Sequence, residues 1–180
     1  MSQKGKIILI ISCMFSSKTT TLISYIRRYT IAKKTILTIN FARDTRYDNS
    51  SIVSHDNIKY KADYMCNNLS EIPEEHIEKV DVIVIDEGAF FNDLVSFADN
   101  WANKGKIVIV AGLDGTYQRE PFPNIVNLIP KAEEVHKLSA ICTLCGEDAH
   151  FTKRIIESNQ QILIGGSDIY EARCRICFNK

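Results

Sequence analysis

Four short apolar runs punctuate the chain: Lys6-Ile-Ile-Leu-Ile-Ile11, Thr35-Ile-Leu-Thr-Ile39, Val82-Ile-Val-Ile85 and Lys106-Ile-Val-Ile-Val-Ala111. They are too short for helices, rich in β-branched residues, and apolar without alternation, the pattern of strands buried on both faces. Between the first two, residues 19 to about 32 place Leu22, Ile23, Ile26 and Tyr29 at helical spacing, with Arg27, Arg28, Lys33 and Lys34 near the end complementing the helix dipole. Residues 72–79, opened by Pro73, and residues 94–103, closed by Gly105, predict two further helices; residues 40–68 are polar and irregular. Strand–helix alternation of this kind predicts an α/β fold, a mainly parallel sheet with helices on its faces. Ligands on such sheets bind beyond the carboxyl ends of the strands, where residues 12–19, 86–91 and 113–117 fall.

The first of those segments, Ser12-Cys-Met-Phe-Ser-Ser-Lys-Thr19, has the length and ending of a phosphate-binding P-loop but carries serine at both glycine positions. In such a loop Lys18 supplies a point charge to phosphate oxygens and Thr19 a hydroxyl to Mg²⁺, while the main chain of residues 12–17 wraps the anion. A left-handed serine costs roughly 1–2 kcal/mol, and the plain alternative is a helix N-terminus with serine caps. Asp86-Glu87-Gly88 ends the third apolar run. A carboxylate there is where P-loop enzymes hold magnesium, and Glu87 beside it is placed to take a proton from a nucleophile. Alone, the triplet would read as a solvated turn; a lysine–threonine loop in the same chain favours the catalytic reading.

With 180 residues, 45% of them hydrophobic, the chain suffices for one core and a small appendage. Lys plus Arg and Asp plus Glu both number 22, which argues against a dedicated nucleic-acid binder. No apolar run reaches membrane-spanning length and no signal peptide is visible, so no membrane association is expected. Six cysteines then suggest a reducing compartment. Cys142-Thr-Leu-Cys145 and Cys174-Arg-Ile-Cys177 are two C-x-x-C pairs with 28 residues between them, the donor set of a structural four-thiolate Zn²⁺ site with no open position for water. Cys13 and Cys66 read as core or loop residues, and His136 and His150 as surface residues.

Met14-Phe-Ser16 with Lys18-Thr19, Asp44-Thr-Arg-Tyr47, Asp86-Glu-Gly88 with Phe90-Phe91, Leu113-Asp-Gly-Thr116 with Gln118-Arg119, Thr152-Lys-Arg154, and Ile164-Gly-Gly166 with Asp168 and Tyr170 stand in this order. Together with the paired cysteines they resemble the zinc-containing type II thymidine kinases of animal cells and large DNA viruses, from about residue 6 to residue 178. The resemblance implies a RecA-like P-loop domain over residues 1–139 and a zinc-binding, lasso-loop domain over residues 140–180. It implies transfer of the ATP γ-phosphate to the 5′-hydroxyl of thymidine in the cytoplasm, with Mg²⁺ and structural Zn²⁺, by a homotetramer. Carried over, Lys18, Thr19 and Asp86 serve phosphate and Mg²⁺, Glu87 is the general base, and Asp44 and Arg46 lie near sugar and phosphates. Met14, Phe90, Leu113, Tyr117, Thr152, Leu163 and Tyr170 line the base, and a lasso of about residues 161–170, with Gln161, Ile162, Leu163, Ile164 and Gly165, holds it by main-chain hydrogen bonds. The departures are Ser12, Cys13 and Ser17 in the loop, Ala89 for a glutamine, and Gln161 for an apolar residue. A loop that loses preorganisation slows turnover about tenfold per 1.36 kcal/mol. The reading is therefore a working kinase whose rate the two serines leave open to impairment, beside two alternatives: a low-turnover relative that binds nucleosides, and a zinc-ribbon nucleic-acid module.

Overall fold

The computed structural model describes residues 4–42, 51–53, 59–158, 160, 163 and 165–180. Each apolar run is a strand: β1 (Lys6–Ser12), β2 (Ile36–Phe41), β6 (Val82–Ile85) and β7 (Ile107–Leu113). The segment between β2 and β6 holds β3 (Ser51–Val53), β4 (Lys59–Lys61) and β5 (Tyr64–Cys66), and β8 (Glu134–Lys137) follows β7. The central sheet runs β5-β2-β6-β7-β1-β8, and every neighbouring pair is parallel.

Because side chains alternate along a strand, the continuous apolar runs feed two cores. Ile7, Leu9 and Ile11 of β1 face one side with Ile83, Ile85, Val108 and Val110, under α3 (Leu94–Asn103), α4 (Pro123–Leu128) and α2 (Glu74–Glu78). Ile8 and Ile10 face the other side with Val82, Val84 and Ile109, against Leu22 and Ile26 of α1 (Lys18–Ile31). Each such fully buried side chain stabilises the fold by roughly 1.5–3 kcal/mol. That anchors α1 although its N-cap, Ser17, makes no side-chain capping bond. Gly105, at φ 90°, supplies the left-handed turn after α3 that a residue with a Cβ would resist.

Beyond β8 the chain forms two small antiparallel ladders, β9 (Ala140–Ile141) with β10 (Asp148–Ala149) and β11 (Phe151–Arg154) with β12 (Tyr170–Arg173), and ends in α5 (Arg175–Phe178). Their shared apolar cluster joins Ala140, Cys142, Ala149, Ala172 and Cys177 to Cys13, with Phe15 packed against it. The C-terminal part is thus built onto the loop after β1. The expected helix over 72–79 is shorter: Leu69–Glu71 forms a 3₁₀ turn, and Pro73, unable to donate a main-chain hydrogen bond, sits as the N-cap of α2. Asp44, Arg46, Gln161, Ile162 and Ile164 lie outside the described residues.

Candidate active site and thiolate centre

The parallel register brings the loop after β1 and the acidic pair to one sheet edge. Ser12 pairs with Leu113 and Ile85 with Val110, so the ends of β1 and β6 flank the end of β7. Met14, Phe15, Ser16, Ser17, Lys18, Thr19, Asp86, Glu87 and Leu113 line a single cleft there. The start of α1 opens into it, its first turn free of acidic residues, so the positive end of the helix dipole is not offset locally.

The two serines at the glycine positions are not equivalent. Ser12 is the last residue of β1, fully buried, and its hydroxyl donates to the Leu138 carbonyl at 2.6 Å. Ser17 is exposed and left-handed at φ 59°, as is Phe15 at φ 65°. The conformation that glycine adopts freely is therefore required at 17 and not at 12. Inside the loop, the Cys13 carbonyl accepts from the Lys18 ammonium at 2.6 Å and from the Ser16 hydroxyl at 2.9 Å. Burial pushes the Lys18 pKa down, against the pull of Glu87, Cys13 and Asp86. Two bonds tie the loop to the C-terminal part: the Met14 N–H donates to the Thr152 hydroxyl at 3.0 Å, and the Cys13 thiol to the Ala149 carbonyl at 3.4 Å.

Asp86, 7% exposed, follows the last residue of β6, and its carboxylate accepts from the Glu87 N–H at 2.9 Å. Glu87 is left-handed at φ 53°, a conformation that costs a non-glycine residue of order 1–3 kcal/mol and clusters at functional sites. It turns the chain sharply into the 3₁₀ turn Gly88–Phe90. A side chain at Gly88 would meet Val110 Cγ1 at 2.6 Å, so glycine is what lets this turn pack against β7.

On the neighbouring side, Phe90 stacks in a ring cluster with Phe41 and Phe122, at centroid distances of 5.5 and 5.9 Å. Thr152 is buried under the loop. Tyr117 lies 3.8 Å beneath the Arg154 guanidinium, and Tyr170 is buried with its hydroxyl donating to the Leu163 carbonyl at 2.8 Å. Gly165 sits against Ile169, whose Cδ1 a Cβ at 165 would meet at 2.1 Å.

Cys142, Cys145, Cys174 and Cys177 bring their sulfurs within 4.8 Å of one another, with Cys145 and Cys174 at 3.6 Å. Zn–S bonds of about 2.3 Å at tetrahedral angles separate sulfurs by about 3.8 Å, so the donor set fits a four-thiolate metal. The Cys174 main-chain N–H, ahead of opposing burial and of the Leu144 and Cys145 N–H groups, holds the Cys142 thiol down to about 6. His136 is not part of this centre; it bonds the Tyr25 hydroxyl at 3.0 Å at the far side of β1. Cys66 is buried in the main core, and burial pushes its thiol up to about 12.

The thymidine kinase family profile matches residues 5–178. The chain belongs to the thymidine kinase family. Thymidine kinase 1 of Dictyostelium discoideum is 48% identical over 179 residues, covering 97% of this chain and 78% of its own. The thymidine kinase of Yaba monkey tumor virus is 48% identical, covering 99% of this chain and 97% of its own. That of vaccinia virus strain Ankara is 47% identical over 97% of each.

In this thymidine kinase two residues make contacts that sequence reasoning did not give them. Ser12, read as a replaced glycine in the main chain that wraps the phosphates, turns its hydroxyl away to the Leu138 carbonyl as a buried anchor. Arg154 stood in a matching motif without a role of its own, yet its guanidinium meets both Tyr117 and Tyr170. Only the arginine in Thr152-Lys-Arg154, beside two tyrosines to stack on, was available as a signal.

Proposed function

We propose that the chain transfers the γ-phosphate of ATP to the 5′-hydroxyl of thymidine, the phosphates lying on the loop after β1 and the base against Met14, Leu113, Tyr117, Thr152 and Tyr170. The observation that carries this reading is the meeting of Lys18, Thr19, Asp86 and Glu87 in one cleft at the carboxyl edge of the sheet. Lys18 exchanges its bond to the Cys13 carbonyl for phosphate oxygens, trading a neutral partner for charged ones. The Thr19 hydroxyl and Asp86 carboxylate would hold Mg²⁺, which when bound neutralises charge on the phosphate oxygens. The 5′-oxygen then forms a bond to the γ-phosphorus as the bond from phosphorus to the β–γ bridging oxygen breaks; ADP leaves and Glu87 takes the hydroxyl proton. The aromatic wall of Phe90 and its neighbours gives the apolar surface a flat pyrimidine needs.

In the same reading Cys142, Cys145, Cys174 and Cys177 hold Zn²⁺ as a structural crosslink, residues 1–139 and 140–180 act as two domains, and the protein works as a cytoplasmic homotetramer. The left-handed Ser17 favours a second reading, a relative that binds nucleosides with little turnover. Steady-state phosphorylation of thymidine by Mg·ATP separates the two: turnover well above a Glu87→Gln control supports the kinase, and turnover equal to that control leaves the binding protein.

A further inference from the structure

We infer that Arg154 is a positioning residue for the nucleoside, holding residues 158, 160 and 163 in place beside Tyr117 and Tyr170 at the base pocket. This rests on the thymidine-binding reading of that pocket. Arg154 ends β11, and its guanidinium meets four residues on three pieces of chain. Nη1 donates to the Gln160 carbonyl at 2.5 Å and to the Ser158 carbonyl at 3.4 Å. Nη2 donates to the Tyr170 hydroxyl at 3.0 Å, and the guanidinium plane lies 3.8 Å over the Tyr117 ring, on the β7–α4 connection.

Tyr170 extends the clamp. Its hydroxyl accepts from Arg154 and from the Leu163 N–H at 3.3 Å, and donates to the Leu163 carbonyl at 2.8 Å. That uses both lone pairs and the single proton of a phenol, so the hydroxyl has one orientation. At the neck of the segment the Ile155 N–H donates to the Ile169 carbonyl at 2.9 Å. Residues 158, 160 and 163 are thus held by main-chain contacts to two side chains that lie outside the segment.

A planar guanidinium is suited to this in a way an ammonium is not: it donates in a fork to several carbonyls while its face covers an aromatic ring. Both terminal nitrogens are engaged with protein oxygens, so the effect on substrate is transmitted through Tyr117, Leu163 and Tyr170. Hydrogen bonds from a charged donor contribute enough that losing them shifts an affinity by about tenfold or more.

The test measures Arg154→Met, Arg154→Lys and Tyr170→Phe in the full chain. Arg154→Met should raise the thymidine KM by about tenfold or more while the ATP KM and kcat stay within about twofold, and Arg154→Lys should fail to restore it. Tyr170→Phe, which keeps the ring and removes only the hydroxyl, should raise the same KM. Amide exchange, followed without any ligand, should speed by about tenfold or more at Leu163 in Arg154→Met and stay unchanged around Met14. Equal rises in both KM values, full restoration by lysine, or unchanged exchange at Leu163 would each overturn the proposal. Exchange decides the clamp even where thymidine proves not to be the substrate, so failure of the clamp and failure of the substrate reading are told apart.

Discussion

Ser12 and Ser17 show how one sequence departure splits into two physical effects. Ser17 occupies a left-handed position, where replacement by glycine removes about 1–2 kcal/mol of strain and adds back about 0.5–1 of chain entropy. Ser17→Gly should therefore raise the denaturation midpoint or tighten Mg·ATP binding slightly. Ser12→Gly should do the reverse, because it removes the donor to the part-buried Leu138 carbonyl and loosens a strand end, a loss of roughly 1 kcal/mol. Equal effects of the two, seen in urea midpoints, would contradict this split. Lys18 carries a second prediction. Its folded pKa lies below the unfolded value of 10.5, burial being the main cause. Between the folded pKa and 10.5 the unfolded chain binds more protons, so stability rises with pH across that window, and the penalty is fully present below it. Lys18→Met should thus be more stable than the parent at pH 7, with the gap narrowing towards pH 10.5, while losing nucleotide binding. Matched urea titrations at the two ends of that range check the sign. None of this is legible in letters: a serine at a glycine position looks the same whether its φ is negative or positive.

At the scale of elements, the four buried strands and the helices α1 and α3 were legible because burial on both faces and helical spacing leave strong periodic marks. β5 and β8 were not. Tyr64-Met-Cys66 is three residues long, and Glu134-Val-His-Lys137 is a half-solvated edge whose alternation is confined to four residues. Both gain their place from the strand beside them rather than from their own pattern. The joint between the loop after β1 and the C-terminal ladders also had no sequence mark, since it rests on the bonds from Met14 to Thr152 and from Cys13 to Ala149 and on a shared apolar cluster of small residues. Its consequence is that Cys13 and Phe15 pack in the same cluster as Cys142, Cys174 and Cys177. Protein prepared without chelator should carry about one equivalent of zinc per chain. Stripping it should weaken Mg·ATP binding as well as the C-terminal fold, as read by calorimetry and by amide exchange at Met14. Less than about half an equivalent, or unchanged exchange at Met14 after stripping, would count against the four-thiolate crosslink and its reach to the loop.

For the whole molecule, one sheet edge collects what the chemistry needs: a loop and helix end from β1, an acidic pair from β6, and a wall from the end of β7, with the C-terminal ladders built onto the loop. The acidic pair and the lysine–threonine ending were readable in order along the chain; that they face one cleft follows only from the strand order, in which β7 separates β1 from β6. The central claim is that this edge still performs phosphoryl transfer with serine at both glycine positions. Steady-state turnover of thymidine with Mg·ATP, run against Glu87→Gln, tests it most directly. The account predicts formation of thymidine monophosphate and ADP in equal amounts, with the variant slowed by about a hundredfold or more; no turnover by the parent above the variant would contradict it.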